Sequence, residues 1–171
     1  MVIPVEHERK FLVVGEDWRL QAVPSSIRQG YLARDGALSV RVRCRGGHAF
    51  LTLKGKGGTA SKVEFEYPIP TDHAEYLLSQ VCERLPIEKI RHELYFDGRL
   101  WEVDEFLGCN CGLVLAEVEL ASPDEEVSLP SWAGREVTCD PRYSNSHLYL
   151  HPYSSWHEIE PPIWSTRQAT R

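Results

Sequence analysis

Charged and apolar residues alternate along most of this chain with a period of two, the spacing at which successive side chains of a β-strand point to opposite faces. The alternation runs through residues 5–14, 27–34, 38–45, 48–56, 62–70, 88–96, 99–106 and 112–120. Asp35-Gly36, Gly46-Gly47 and Asp97-Gly98 fall between runs, where tight hairpins need residues that tolerate left-handed backbone. The pattern predicts eight strands in an antiparallel sheet. A helical period appears with force once. Asp72 and Glu75 stand at capping-box spacing, and Leu77, Leu78, Val81, Cys82 and Leu85 form an apolar stripe that stops at Pro86. A helix packed on the sheet is expected there. GEDWRLQAV (15–23) reads as a short helix or turn, and PDEEVSL and RYSNSHLYL as further short helices.

Parity sorts the strands into two faces. One carries Glu6, Glu8 and Lys10; Arg41, Arg43 and Arg45; Lys54 and Lys56; Lys62, Glu64 and Glu66; Lys89 and Arg91; Glu102 and Asp104; Glu117 and Glu119. The other carries Val40, Val42, Leu51, Leu53, Val63, Phe65, Trp101, Val103, Ala116 and Val118. An ordinary sheet with one wet side explains any single strand, but a solvated face mixes Ser, Thr, Asn and Gln among its charges. Here the polar positions are mainly Glu, Lys and Arg, with like charges grouped within each strand. Eight antiparallel strands closed into a barrel, with a charged lumen and an apolar outside covered by a few helices, account for both faces. The fold class is therefore mainly β with some α.

A length of 171 residues suits one domain, assigned to residues 1–150, followed by a C-terminal extension over 151–171 in which Trp156 and Trp164 are able to pack back. The net charge of -6 argues against nonspecific nucleic-acid binding. Five cysteines without a CxxC pair read as reduced thiols, and neither a leader pattern nor a membrane-length apolar run is seen. A soluble cytoplasmic protein with no membrane or nucleic-acid partner is expected, and a homodimer is allowed.

Paired carboxylates from different strands suit Mg²⁺ or Mn²⁺, and arginine and lysine in the same cavity suit phosphate oxygens. Acid pairs with base pairs together imply a metal and a polyanion. ExExK at Glu6, Glu8 and Lys10, RQGYL at 28–32, RxR at Arg41 and Arg43, TLKG around Lys54, ExE at Glu64 and Glu66, Lys89 with Arg91, VDEF around Asp104 and EVEL around Glu117 and Glu119 occur in that order. In these motifs, over roughly residues 5–150, the chain resembles the CYTH family of triphosphate tunnel metalloenzymes, above all its small bacterial tripolyphosphatases.

The resemblance implies an eight-stranded tunnel that hydrolyses a small triphosphate with Mg²⁺ or Mn²⁺, two ions in all. Glu6, Glu8, Glu117 and Glu119 would hold metal, with Glu64, Glu66 and Asp104 as further acidic candidates. Arg41, Arg43, Lys54, Lys89 and Arg91 would grip phosphates. Lys10 and Tyr31 are the candidates for positioning water. Tyr31 and Arg28 have opposite parity, so both enter the lumen only if Gly30 marks a bulge; Tyr31 is assigned to the lumen and Arg28 to a structural role. RYSNSH (142–147) occupies the place of a segment that lines one tunnel mouth. Inorganic tripolyphosphate is the expected substrate. The alternatives are a class IV adenylyl cyclase, a thiamine triphosphatase and a polyphosphate- or nucleotide-binding module without activity.

Overall fold

A computed structural model describes residues 5–35, 38–57, 61–122 and 124–156, with backbone alone at 5–6, 56–57 and 61–62. The alternating runs form β1 (Val5–Val13), β2 (Val23–Arg34), β3 (Leu38–Arg45), β4 (His48–Gly57), β5 (Ser61–Ile69), β6 (Ile87–Phe96), β7 (Arg99–Phe106) and β8 (Val114–Leu120). They pair antiparallel in the order β5-β4-β3-β2-β6-β7-β8-β1, and β1 meets β5 through Val5↔Val63 and Glu6↔Lys62, which completes the ring. Asp97 and Gly98 both take positive φ in the β6–β7 turn, the geometry that a two-residue hairpin requires.

A ninth strand, β9 (Ala133–Glu136), was not legible because AGRE is short and lacks alternation. It lies on the C-terminal half of β1, on the edge that β5 uses at the other end. The Arg9 guanidinium fastens it to Glu136 at 2.6 Å, and the Val137 N–H donates to the Lys10 carbonyl at 2.8 Å.

The expected helix is present but shorter. α1 (Thr71–Tyr76) passes into one widened turn over Leu77–Val81, closed by the Cys82 N–H donating to the Leu77 carbonyl. The capping box does not form: Pro70 occupies the N-cap and Asp72 lies inside the first turn, where it accepts from the His73 N–H. The helical segment ends at Val81, so Leu85 falls in the irregular link to β6 and is 78% exposed, while Ala74 and Leu78 are buried. PDEEVSL forms no helix over 124–129. RYSNSHLYL does: a 3-10 turn at Pro141–Tyr143 leads into α2 (Asn145–Leu150), capped by the Ser144 hydroxyl accepting from the His147 N–H.

Three apolar clusters hold the barrel. Phe11, Trp18, Leu94, Trp101, Val103, Ala116, Val118 and Trp132 cover the outside of β1, β6, β7 and β8, with Trp18 delivered by a 3-10 turn at Asp17–Gln21. Val42, Ala49, Ala74 and Leu78 fix α1 to the outside of β3 and β4. Leu12, Tyr31, Ile87, Phe106, Leu113 and Leu115 share the inward parity of the charges and meet Leu148 and Tyr149 of α2, so apolar packing fills one end of the interior. Tyr153 and Trp156 pack against this cluster, while Trp164 lies outside the described residues. Among the described residues no helix is long and apolar enough to cross a membrane.

Gly30 is the closest approach of the helical segment to the sheet: a Cβ there would stand 2.6 Å from Cys82 Sγ and 3.2 Å from Leu78 Cδ2. Gly30→Ala is expected to lower the denaturant-derived stability by about 1–3 kcal/mol through overpacking. A second change, Cys82→Ala, should restore much of it; an additive loss in the double variant would exclude this contact as the cause.

Candidate active site

The charged face lines a cavity of about 840 Å³. Around the ring, β1 and β2 stand on opposite walls, since β5, β4 and β3 separate them on one side and β8, β7 and β6 on the other. β1 supplies Glu8 and Lys10; β2 supplies Gln29, Tyr31 and Arg34; β3 supplies Arg41, Arg43 and Arg45; β4 supplies Lys54. Glu64 and Glu66 come from β5, Lys89 and Arg91 from β6, Glu102 from β7, and Glu117 and Glu119 from β8. Thr138, Asp140, Ser144, Asn145 and Ser146 complete the lining, so the RYSNSH segment does reach the cavity.

Within a strand the like charges are grouped, but the ladder interleaves them. Arg41 stands 3.2 Å from Glu64 and also donates to Thr52 Oγ1 at 3.2 Å. Arg43 meets Glu66 at 2.7 Å, Lys54 is paired with Glu64, and Lys10 Nζ stands 2.7 Å from Glu117 Oε1. Arg91 donates twice to Asp104, at 2.7 Å from both Nε and Nη2, is paired with Glu102 and reaches Glu117 at 3.2 Å. Lys89 takes the other share of Asp104 at 2.5 Å and approaches Asn145 Oδ1 at 3.4 Å. The charges grouped within each strand thus neutralise one another across strands.

Among the described residues of the lumen one like-charge pair stays largely uncompensated. Glu8 and Glu119 are direct cross-strand partners in the β1–β8 ladder, and both are exposed to the lumen. Two carboxylates held opposite each other destabilise a sheet unless a cation joins them. Glu8 has Lys10 at 3.6 Å. Glu117, by contrast, is committed to Lys10 and Arg91, and Asp104 is buried beneath Lys89 and Arg91. The Glu6 side chain lies outside the described residues. Among the described residues no three His, Cys, Asp or Glu side chains converge on one metal-sized position. The oxygen-only donors of Glu8 and Glu119 do fit a hard divalent cation that keeps several waters.

Burial would push Lys10 down, but Glu117 and then Glu8 outweigh it and hold the ammonium above its ordinary pKa. Burial pushes Lys89 down to about 8, with Asp104 opposing the shift and Arg91 adding to it. Asp104 and Glu117 resist burial and are held below the usual carboxylate range, Asp104 by Lys89 and Arg91, Glu117 by Lys10 and Arg91. At Glu102 burial wins over Arg91 and the carboxyl is raised. Burial also lifts the Tyr31 phenol, against the pull of Arg41 and Arg34.

Tyr31 lines the cavity and Arg28 does not: Arg28 faces outward to Glu75 at 2.7 Å and Glu88 at 3.5 Å. The register is unbroken at Gly30, which pairs with Val42, and shifts instead between Tyr31 and Ala33. That displacement turns Arg34 inward, a position that strict alternation from Tyr31 would not give it. Gln29 shares the parity of Tyr31 and was overlooked because it is uncharged.

A closed antiparallel barrel whose lumen pairs arginine and lysine with carboxylates defines a tunnel for a polyanion. The CYTH domain model matches residues 4–145, and the chain belongs to that family. It is similar to an inorganic triphosphatase of Acetivibrio thermocellus, 46% identical over 90% of this chain and 98% of the relative. An inorganic triphosphatase of Nitrosomonas europaea is 41% identical over 85% and 97%. A crystal structure of an inorganic triphosphatase superposes with a TM-score of 0.64 at 36% identity, covering 88% of this chain and 96% of the other. Solved structures at 13–19% identity and TM-scores of 0.52–0.55, some bearing an adenylyl cyclase name, share the fold alone.

Asp104→Asn is expected to cost about 3–5 kcal/mol in a denaturant titration at neutral pH, because Lys89 and Arg91 keep their buried charges without their carboxylate. Glu117 has a folded pKa below its unfolded value, so its stabilisation is present above the ordinary carboxylate range of about 4 and is lost as pH falls toward the folded pKa. Glu117→Gln should therefore be less stable than the parent at pH 7 yet lose less on acidification to pH 3. An equal loss in both proteins would remove Glu117 as the source.

Proposed function

We propose that this chain is a metal-dependent hydrolase that converts inorganic tripolyphosphate to pyrophosphate and phosphate. The observation that carries this reading is the cavity itself, in which Arg41, Arg43, Lys54, Lys89 and Arg91 converge from three strands opposite the Glu8/Glu119 pair. Relatives at 46% and 41% identity that bear the name inorganic triphosphatase support it.

The five cations bind phosphate oxygens by exchanging carboxylate partners for them, arginine through its planar fork and lysine as a point charge. Glu8 and Glu119, with Glu6 and Glu117, would hold Mg²⁺ or Mn²⁺, two ions in all; Glu64, Glu66 and Asp104 are further candidates that become available as their cations turn to phosphate. When bound there, such ions would supply charge neutralisation on the transferring oxygens and a water of lowered pKa. Lys10 keeps its proton and Tyr31 keeps its phenol hydrogen at neutral pH, so they orient the water and donate to phosphate oxygens without acting as bases. Water adds to a terminal phosphorus as the bond to the bridging oxygen breaks, pyrophosphate leaves on that oxygen, and the proton lost by the water passes to a phosphate oxygen or to solvent.

The test is phosphate release from tripolyphosphate with Mg²⁺ or Mn²⁺, run beside ATP and thiamine triphosphate. Glu119→Gln is expected to lower kcat by about a hundredfold or more, the scale of losing an electrostatic contact made in the transition state. Absence of phosphate release with any metal from pH 6 to 10 would overturn the reading, and cyclic AMP formed from ATP would replace it with a cyclase.

A further inference from the structure

Every cation that lines the cavity, apart from Arg34, has a carboxylate within ion-pair distance: Lys10 with Glu117, Arg41 and Lys54 with Glu64, Arg43 with Glu66, Arg45 with Glu93, and Lys89 and Arg91 with Asp104. Among the described residues Arg34 has none. Its guanidinium lies 5.4 Å from the centre of the Tyr31 ring, a cation–π stack that holds a long side chain in place at the open edge of the lumen. The register shift between Tyr31 and Ala33 turns it inward. It pairs across the ladder with Ser39, and the lining beside it on the α2 side carries the hydroxyls of Ser144 and Ser146.

We propose that Arg34 is a substrate-binding residue that takes the outermost phosphoryl group of the bound triphosphate, an inference that rests on the triphosphatase reading. A cation already paired must release a carboxylate before it serves a phosphate, so much of its attraction cancels. Arg34 releases nothing. The stack on Tyr31 restricts its rotamers, and the planar fork left facing the lumen matches two phosphate oxygens with little further ordering. It also stands on the wall opposite the Glu8/Glu119 pair, so among the described residues the lumen cation without a carboxylate and the adjacent pair of carboxylates lie across the tunnel from each other. A triphosphate bridging those walls would present a phosphoryl end to Arg34 and its more metal-rich side to the carboxylates.

The experiment compares the full chain with Arg34→Gln and Arg34→Lys in steady-state tripolyphosphate hydrolysis, together with thermal unfolding of each unliganded protein. Arg34→Gln is expected to raise KM about tenfold or more, with kcat within about threefold of the parent and an unchanged unfolding midpoint, the size of a lost hydrogen bond to a charged group. Arg34→Lys, which keeps the charge and loses the planar fork and stack, should recover only part of the KM, falling between the parent and Arg34→Gln. An unchanged KM in Arg34→Gln overturns the assignment. So does a fall in the unliganded midpoint that accompanies the kinetic loss, or a Lys variant no better than Gln, since either makes Arg34 a support for Tyr31. If the parent itself releases no phosphate, the triphosphatase reading fails first and separately.

Discussion

Cations and carboxylates enclosed in one narrow barrel have to neutralise each other, and the antiparallel ladder decides which ones do. Arg91 is the centre of this constraint: Asp104, Glu102 and Glu117 come to it from two neighbouring strands, and Lys89 and Lys10 take up the remaining oxygens of Asp104 and Glu117. Isolated ions at this depth would be expensive, whereas a network whose members are each hydrogen-bonded is tolerated. The same pairs fix which strands face the lumen, because a one-residue slip would drive Lys89, Arg91 and Asp104 into the apolar coat.

The coat and the end plug answer the remaining demands of the ring. Trp18, Trp101 and Trp132 keep water from the outer face of β1, β7 and β8, and α1 does so for β3 and β4. Leu12, Phe106, Leu115 and Tyr31 fill the interior toward α2, leaving the charged cavity bounded on one side by apolar packing. Lys89 sits at that boundary, with its ammonium 5.3 Å from the Phe106 ring and its charge shared between Asp104 and Asn145. Burial at this boundary, with Arg91 adding its repulsion, is the physical source of its lowered pKa.

Much of this was readable because a strand has a period of two. Arg41 and Arg43, Lys89 and Arg91, Glu64 and Glu66, and Glu117 with Glu119 could be placed on one face by counting, and all of them line the cavity or its wall. Counting within a strand cannot see the neighbouring strand. The grouping of like charges within a strand therefore hides their pairing: register supplies Arg41, Arg43, Lys89 and Arg91 with carboxylates two strands away or next door. Gly30 invited a bulge by its composition, yet its missing side chain serves the approach of Cys82 and Leu78, and the register breaks beyond Tyr31. The stripe from Leu77 to Leu85 assumed a helix running up to Pro86, and the helix stops at Val81, leaving Leu85 in an exposed link. β9 was invisible because its hold on β1 is mainly backbone, with Arg9 and Glu136 as its side-chain clasp.

The irregularity in β2 behaves as a gear. Upstream of it, Gln29 and Tyr31 face the lumen; downstream, the engaged tooth is Arg34, and Ala33 idles outside. Ironing out the bulge with every residue kept would set Ala33 opposite Ser39 and present a methyl group where a guanidinium now stands. The chemistry of this mouth thus hangs on one local irregularity in β2, apart from the charged positions that regular alternation sets.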